Sequence, residues 1–386
     1  MHLRRTAAAA LAAVSALLIA ASPSPSPAAA PAALYGDADP TYDGVWRQSY
    51  ALLALHAAGV EPSGEAVTWL AGQQCADGGF ASYRQDPAAP CDPKTEDTNA
   101  TAIAVQALAV HKQDAAVRRA AGWLAKVQNR DGGWSYNPGG ASDADSTAVV
   151  IGGLEAAGTD AESVTSDGRS PSDALHSLQL ACGTKDGGAF AYQADAKTGA
   201  LTANAKATAD AVRAAQGAGF LVEAPGRDVA VRSGCGGSAA DAGAAWLAAG
   251  LAAGGGHFDA LTPGSDQKTP DYGTTADAVI ALAAGGHLDA AKGAYTWLAA
   301  NSAAWAKGSP TALAQLALAA HATGNPMNDH IAKLSALGPV AEHTSAPASD
   351  SASDSSGGSS VWWIVGAGLV AGIGIGVLLS GRKRRS

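Results

Sequence analysis

Basic residues are scarce once the two ends of the chain are set aside. Of 25 lysines and arginines, six are Arg4, Arg5, Arg382, Lys383, Arg384 and Arg385, which leaves 19 against 34 acidic residues, a net charge of −15 between the ends. So acidic a portion excludes nucleic acid and anionic lipid as its partners. Cysteine is confined to Cys75, Cys91, Cys182 and Cys235, at spacings that fit no zinc ribbon. Aromatic residues make up only 5% of the chain. Long alanine runs stand in their place, so there is little with which to line a large aromatic cavity.

The ends themselves are patterned. Arg4 and Arg5 precede an apolar run from Ala7 to Ala21, and a Ser/Pro stretch then leads to Ala30-Pro31-Ala32. Charged start, short apolar middle and small residues predict an export signal over residues 1–32. Near the other end, Val361 to Leu379 is nineteen residues without a charge, flanked by Trp362 and Trp363 on one side and the basic run on the other. That predicts a membrane helix over 361–380, with the basic tail 381–386 in the cytoplasm and the bulk of the chain extracellular, held at the cell membrane by one span. The Leu-Pro-x-Thr-Gly motif of a cell-wall sorting signal is missing, so the span is expected to stay. Residues 341–360 are Ser, Ala, Asp and Gly, too poor in apolar bulk to fold, and predict a tether. An even cysteine count in an exported chain predicts two disulfides. Of the three pairings, Cys75–Cys91 and Cys182–Cys235 join sequence neighbours and are favoured.

The interior, 33–340, repeats. Gln74-Cys75-Ala76-Asp77-Gly78-Gly79-Phe80 matches Gln128-Asn129-Arg130-Asp131-Gly132-Gly133-Trp134, each after Trp-Leu-Ala, 54 residues apart. Looser copies hold Gln179 with Asp186-Gly187-Gly188-Ala189-Phe190, then Trp246-Leu247-Ala248 with His257-Phe258, then Trp297-Leu298-Ala299. Behind each copy runs an Ala-rich helix, opened by Thr101-Ala102, Thr147-Ala148, Thr208-Ala209, Thr275-Ala276 or Thr311-Ala312, and Trp46–Ala58 is the first of the type. These read as apolar on nearly every face, hence buried, whereas the alternating helices near Glu65–Gln73, Arg118–Gln128, Asp173–Leu180, Ala242–Leu251, Lys292–Ala300 and Asn328–Leu337 carry a polar side. No pair buries its own apolar face, so pairs must stack. Six of each predict an all-α (α/α)6 toroid. Within each repeat motif, Gln ends the outer helix, Gly supplies a left-handed turn, Asp bonds the turn and the aromatic plugs the gap to the next pair.

These segments resemble the QW repeats of the terpenoid cyclase and protein prenyltransferase toroid superfamily, squalene cyclase type, over roughly Tyr42 to Gly338. The superfamily also holds cobalamin carriers resembling intrinsic factor and transcobalamin, so the resemblance allows a corrinoid as ligand and leaves function open. Asp143-Ala144-Asp145-Ser146-Thr147-Ala148 resembles the Asp-x-Asp-Asp-Thr-Ala motif of the cyclases, which would make Asp145 a proton donor. Ser146 stands where the last Asp belongs, and Asp97 and Asp271 open other inner helices, which favours helix capping. The cyclases resemble two toroids and the chain has one. A convincing Asp, Cys and His zinc set is missing, as is a Cys-Gly-Glu-Gln thioester.

The long outer-to-inner connections Ala81–Glu96, Ser135–Asp143, Ala191–Ala203 and Asp259–Tyr272 gather tyrosines and acids at one end of the ring. They nominate Tyr136, Asp143, Asp145, Tyr192, Asp271 and Tyr272 as ligand-binding residues. His56, His111 and His321 fall at matching helix ends of adjacent repeats, where they offer imidazoles to a metal or, more simply, charge to the helix dipole; no metal is expected. The expectation is a surface binding protein for a small molecule or a partner protein. An interaction module and a polyprenyl cyclase using Asp145 are the alternatives.

Overall fold

A helix that shows alanine and leucine on almost every side is stable only when surrounded. Six such helices surround one another here. The computed structural model describes residues 31–232, 234–261 and 266–339. The expected tether, membrane helix and basic tail lie outside these residues, as does the expected export signal up to residue 30. Among the described residues no helix is long and apolar enough to cross a membrane.

In chain order the helices are α1 (Gly44–Ala57), α2 (Gly64–Gly72), α3 (Thr98–Val110), α4 (Asp114–Lys126), α5 (Ala144–Ala156), α6 (Pro171–Ser177), α7 (Ala205–Ala214) and α8 (Ala239–Ala253). Two short strands follow, β1 (Phe258–Leu261) and β2 (Lys268–Asp271), then α9 (Tyr272–Ala284), α10 (Leu288–Asn301), α11 (Ala303–Ala306), α12 (Pro310–Ala322) and α13 (Asn328–Ser335). Helix α1 packs on α3, α3 on α5, α5 on α7, α7 on α9, α9 on α12, and α12 back on α1. The inner ring is therefore closed. Helices α2, α4, α6, α8, α10 and α13 lie outside it, each against its own inner partner. The expected toroid of six inner and six outer helices is present.

Three details differ from the sequence reading. The connection at Asp259–Tyr272 holds an antiparallel hairpin in the register Phe258 opposite Asp271. A single-turn helix, α11, stands between α10 and α12. The threonines read as helix openers are the fourth residue of α3, α5, α7 and α9. Their role is to join repeats. The N–H of each motif aromatic donates to the hydroxyl of the next threonine: Phe80 to Thr101 at 2.9 Å, Trp134 to Thr147 at 3.0 Å, Phe190 to Thr208 at 2.9 Å and Phe258 to Thr275 at 3.1 Å.

The motif glutamine is a second brace. Gln128 Nε2 donates to Gly132 O at 2.8 Å within its own turn and to Val164 O at 2.9 Å in the following repeat. Gln74 and Gln179 repeat the arrangement, reaching Ala116 O and Ala239 O, both at 2.9 Å. The glycine that follows each Asp, or the next one, is left-handed, with φ of 112° at Gly78, 88° at Gly132 and 92° at Gly188. Each of these lies so close to the next outer helix or its cap that a Cβ would meet a backbone oxygen, at 2.4 Å from Arg119 O, 2.2 Å from Ser170 O and 2.7 Å from Ala242 O respectively. Phe80, Trp134 and Phe190 are buried. The repeat motif thus works as the structural joint expected of it.

Both favoured disulfides are formed, Cys75–Cys91 and Cys182–Cys235. Ring closure has its own clasp. Tyr35 N–H donates to Gln48 Oε1 (3.0 Å), Gln48 Nε2 donates to Ala33 O (3.0 Å), and Gly36 N–H donates to Leu337 O after α13 (2.7 Å).

Candidate functional site

Helix α7 departs furthest from the apolar rule. It carries Lys206, Asp210 and Arg213, and the spacing of four and three puts all three on one stripe. Asp210 and Arg213 are fully buried, which contradicts the reading of every inner helix as apolar nearly all round. The stripe faces the axis of the ring. Arg213 donates to Asp210 (2.8 Å), Lys206 pairs with Asp210 along the helix, and Lys206 also lies 3.2 Å from Asp277 of α9. Gln315 of α12 donates to the other oxygen of Asp277 (2.6 Å). Tyr50 of α1 and Asp145 of α5 feel the same charges. Groups from α1, α5, α7, α9 and α12 converge in this way only across the lumen.

Burial and mutual charge pull the groups of the cluster in different directions. Burial opposes the charge on Lys206, but the carboxylates of Asp210, Asp277 and Asp145 hold its pKa well above the ordinary lysine value. Burial likewise opposes the charge on Asp210, but Lys206 and Arg213 outweigh it and keep that carboxyl below the usual range. For Asp277 burial prevails over the pull of Lys206 and the pKa is raised. Asp145 is pushed up to about 7, first by burial and then by the Asp210 carboxylate, with Lys206 opposing. It has no counter-ion of its own, and its Oδ1 is buried without a hydrogen-bond partner.

The cyclase-like segment can now be sorted atom by atom. Asp143 is the cap of α5: it accepts from Ser146 N (2.6 Å) and Ser146 Oγ (2.8 Å). Asp145, two residues on, caps nothing. The capping reading therefore holds for Asp143 and fails for Asp145. Asn99 and Lys206 stand at the same position, two residues after the caps Asp97 and Asn204.

The tyrosines nominated from the loops are mostly latches. Tyr136 O accepts from Thr98 N (2.9 Å) and its hydroxyl bonds Asp97, the cap of α3. Tyr192 O accepts from Ala144 N (3.0 Å) and its hydroxyl bonds Asp143. Each tyrosine reaches back to the preceding cap and ties two repeats together. Tyr272 is stacked between Trp297 (5.4 Å) and Trp305 (5.5 Å). Asp271 caps α9 through Thr274 N (2.9 Å) and also edges the mouth of the ring. The rings of His56 and His111 meet edge to face at 5.9 Å, whereas His321 lies 3.0 Å from Glu223.

The open space at the mouth is a cleft of about 380 Å³ bounded by Trp46, Tyr50, Lys206, Asp277, Thr311 and Gln315. From the opposite end the lumen is filled by Phe220, which is fully buried. It meets Tyr50 (4.9 Å) and Trp46 (5.9 Å), under the Arg213 guanidinium (4.0 Å). Sequence reading missed Lys206, Asp210, Arg213, Asp277, Gln315 and Phe220. The charged stripe in an alanine helix was the signal for the first three. Nothing in the sequence marks Phe220 as lumenal.

No family model matches the sequence, and a search of curated proteins finds no match. Solved structures of similar shape include an ent-copalyl diphosphate synthase from Streptomyces platensis, at 20% identity and a TM-score of 0.48, covering 75% of this chain and 52% of that one. The chain thus spans about half the length of that enzyme. A protein from Actinoplanes is 17% identical with a TM-score of 0.48, covering 74% and 79%. A type II terpene cyclase from Scytonema in complex with merosterolic acid A is 15% identical with a TM-score of 0.41, covering 74% and 80%. At these identities and TM-scores the likenesses assign no activity, and the ring rests on its own helix contacts.

Proposed function

We propose that the ring is a binding module whose site is the mouth cleft, and that its ligand is a small polar molecule. The observation that carries this reading is the occupied axis: Phe220 fills the lumen from one end and the Lys206–Asp210–Asp277 network crosses it nearer the other. A polyprenyl chain has nowhere to thread, and a cleft of about 380 Å³ sits at the small end of the usual range for ligand sites. Nothing among the described residues favours a corrinoid over a smaller ligand. Thr311→Trp, which fills the cleft from its rim, should abolish any thermal stabilisation and native-mass-spectrometry adduct found with a small-metabolite panel. Adducts that survive the substitution would place the site elsewhere.

A second reading keeps Asp145 as a proton donor. Its favouring observation is a carboxyl pushed up to about 7 by burial, with one buried oxygen unpartnered. Turnover of squalene or a polyprenyl diphosphate that disappears in Asp145→Asn, with a melting point no lower than the parent's, would establish that reading and displace the first. The two disulfides support an oxidising, extracytoplasmic setting. Protease added to intact cells should then release the ring; a ring protected until lysis would overturn that placement.

A further inference from the structure

The connection after α7 is out of proportion to its counterparts. Residues 111–113 join α3 to α4 and residues 285–287 join α9 to α10, whereas residues 215–238 are needed to join α7 to α8. Residues 226–230 of the extra chain are exposed, but one part leaves the surface. Its segment Gly217–Val222 enters the lumen and touches four inner helices: Trp46 and Tyr50 of α1, Gln106 of α3, Gly152 of α5 and Arg213 of α7.

The fit of this segment is close but incomplete. Gly219 lies against Gly152 so tightly that a Cβ on Gly152 would sit 2.8 Å from the Gly219 Cα, and a Cβ on Gly219 would sit 2.3 Å from Gln106 Oε1. Phe220 N–H donates to Gln106 Oε1 (2.8 Å), and Arg213 Nη1 donates to Ala218 O (3.2 Å). The first of these bonds fixes the Gln106 amide, because only its oxygen can accept. The Gln106 NH2 is then the group left without a partner, though Gln106 is 3% exposed. Arg213 Nε, fully buried beside the same segment, is also unpartnered. Two donors that touch the inserted chain are thus unsatisfied while it is in place, and an unpaired buried donor costs free energy. A groove of about 640 Å³, walled by the segment itself, by Gln106 and by the ends of α3 and α5, opens beside it to solvent.

We propose that Gly217–Val222 is a self-supplied occupant of a lumenal site, and that an aryl-bearing carboxylate takes the site by displacing Phe220. The aryl ring replaces the Phe220 ring between Tyr50, Trp46 and the face of the Arg213 guanidinium. The carboxylate oxygens accept from the Gln106 NH2 and Arg213 Nε, which the segment leaves unpaired. Gly217, at φ 65°, is the pivot at the start of the segment. The site is entered from the opposite end of the lumen but shares Trp46 and Tyr50 with the mouth cleft, so it bears on the function proposed above; Thr311→Trp, which fills the cleft alone, should leave the probe bound.

The probe is 3-phenylpropionate, added at millimolar concentration to the full chain in detergent and followed by hydrogen exchange with mass spectrometry. Exchange of the peptide covering residues 216–223 should rise on binding while α3 and α5 keep their protection. Phe220→Ala, which has no ring to displace, should bind the probe about tenfold or more tightly than the parent, since the cost of opening is removed. Phe220→Leu serves in its place if Phe220→Ala does not fold. Gln106→Leu, which removes one of the two donors, should weaken binding. Unchanged exchange at saturating probe would overturn the proposal. So would equal affinity for ethylbenzene, which lacks an acceptor, or binding by the Phe220 variants no tighter than by the parent.

Discussion

At the scale of single residues, Asp145 is where stability and chemistry pull apart. Its carboxyl is pushed up to about 7 by burial and by Asp210, against an ordinary value of 3.8. Below the ordinary value the group is protonated in both the folded and the unfolded chain and contributes nothing. Between the two values the unfolded chain gives up its proton while the folded chain keeps it, so unfolding becomes steadily easier as pH rises. Above the folded value the ring carries the full penalty of an unpaired buried carboxylate, on the order of a few kcal/mol. Asp145→Asn removes that penalty and offers an amide to the neighbouring carboxylates. The substituted ring should therefore melt above the parent at pH 8 and level with it near pH 4. An equal difference at both pH values, or a lower melting point at pH 8, would contradict the assignment.

At the scale of elements, the repeat motif shows how one short sequence can be read almost completely and a neighbouring helix only in part. In Gln128-Asn129-Arg130-Asp131-Gly132-Gly133-Trp134 every role follows from local chemistry, because the turn conformation, the Asp bond to Gly133 N (3.0 Å) and the aromatic plug are set within the segment. What could not be read there is the partner: Val164 O for Gln128 and Thr147 for Trp134 belong to the next repeat. Helix α7 is the opposite case. Its alanines gave away its burial, but the ion pair of Lys206 with Asp277 crosses to another helix, and only the closed ring defines it. Two glycines near this motif separate local from tertiary control. Gly122, inside α4, has open space where a Cβ would go, so Gly122→Ala should stabilise by about 0.5–1 kcal/mol through helix propensity. Gly132 is left-handed and its Cβ would sit 2.2 Å from Ser170 O, so Gly132→Ala should destabilise by about 1–3 kcal/mol or more. Denaturant titration of both variants decides it. A destabilised Gly122→Ala together with a neutral Gly132→Ala would mean that the joint between α4 and α6 is not as close as described.

At the scale of the whole molecule, a ring has one seam that a linear stack lacks, and the backbone bond across it, Gly36 N–H to Leu337 O, joins residues from opposite ends of the folded region. Count and alternation of helices were legible, and so was closure, because six pairs with apolar faces leave no exposed end only if the last meets the first. The means of closure was not legible: Ala33, Tyr35 and Gly36 carry no motif, and their partners Gln48 and Leu337 look like any polar or apolar residue in a helical stretch. The clasp makes a sharp prediction about the start of the folded chain. Removing residues up to 32 keeps Ala33 O for Gln48, Tyr35 N–H for the same side chain and Gly36 N–H for Leu337. Removing residues up to 36 deletes all three bonds at once. It also strips the buried Tyr35 from against Gly338, and it leaves the Gln48 side chain, which is fully buried, with a single remaining partner in Ala66 O (2.9 Å). Each lost bond to a buried group is worth about 1–3 kcal/mol and the aromatic adds to that, so the longer deletion should cost several kcal/mol and the shorter one almost nothing. The loss should fall first on the seam, as faster hydrogen exchange in α1, α12 and α13 than in α5 and α6 on the far side of the ring. Equal melting of the two truncations, or exchange that rises evenly around the ring, would show that packing of α1 on α12 closes the toroid unaided.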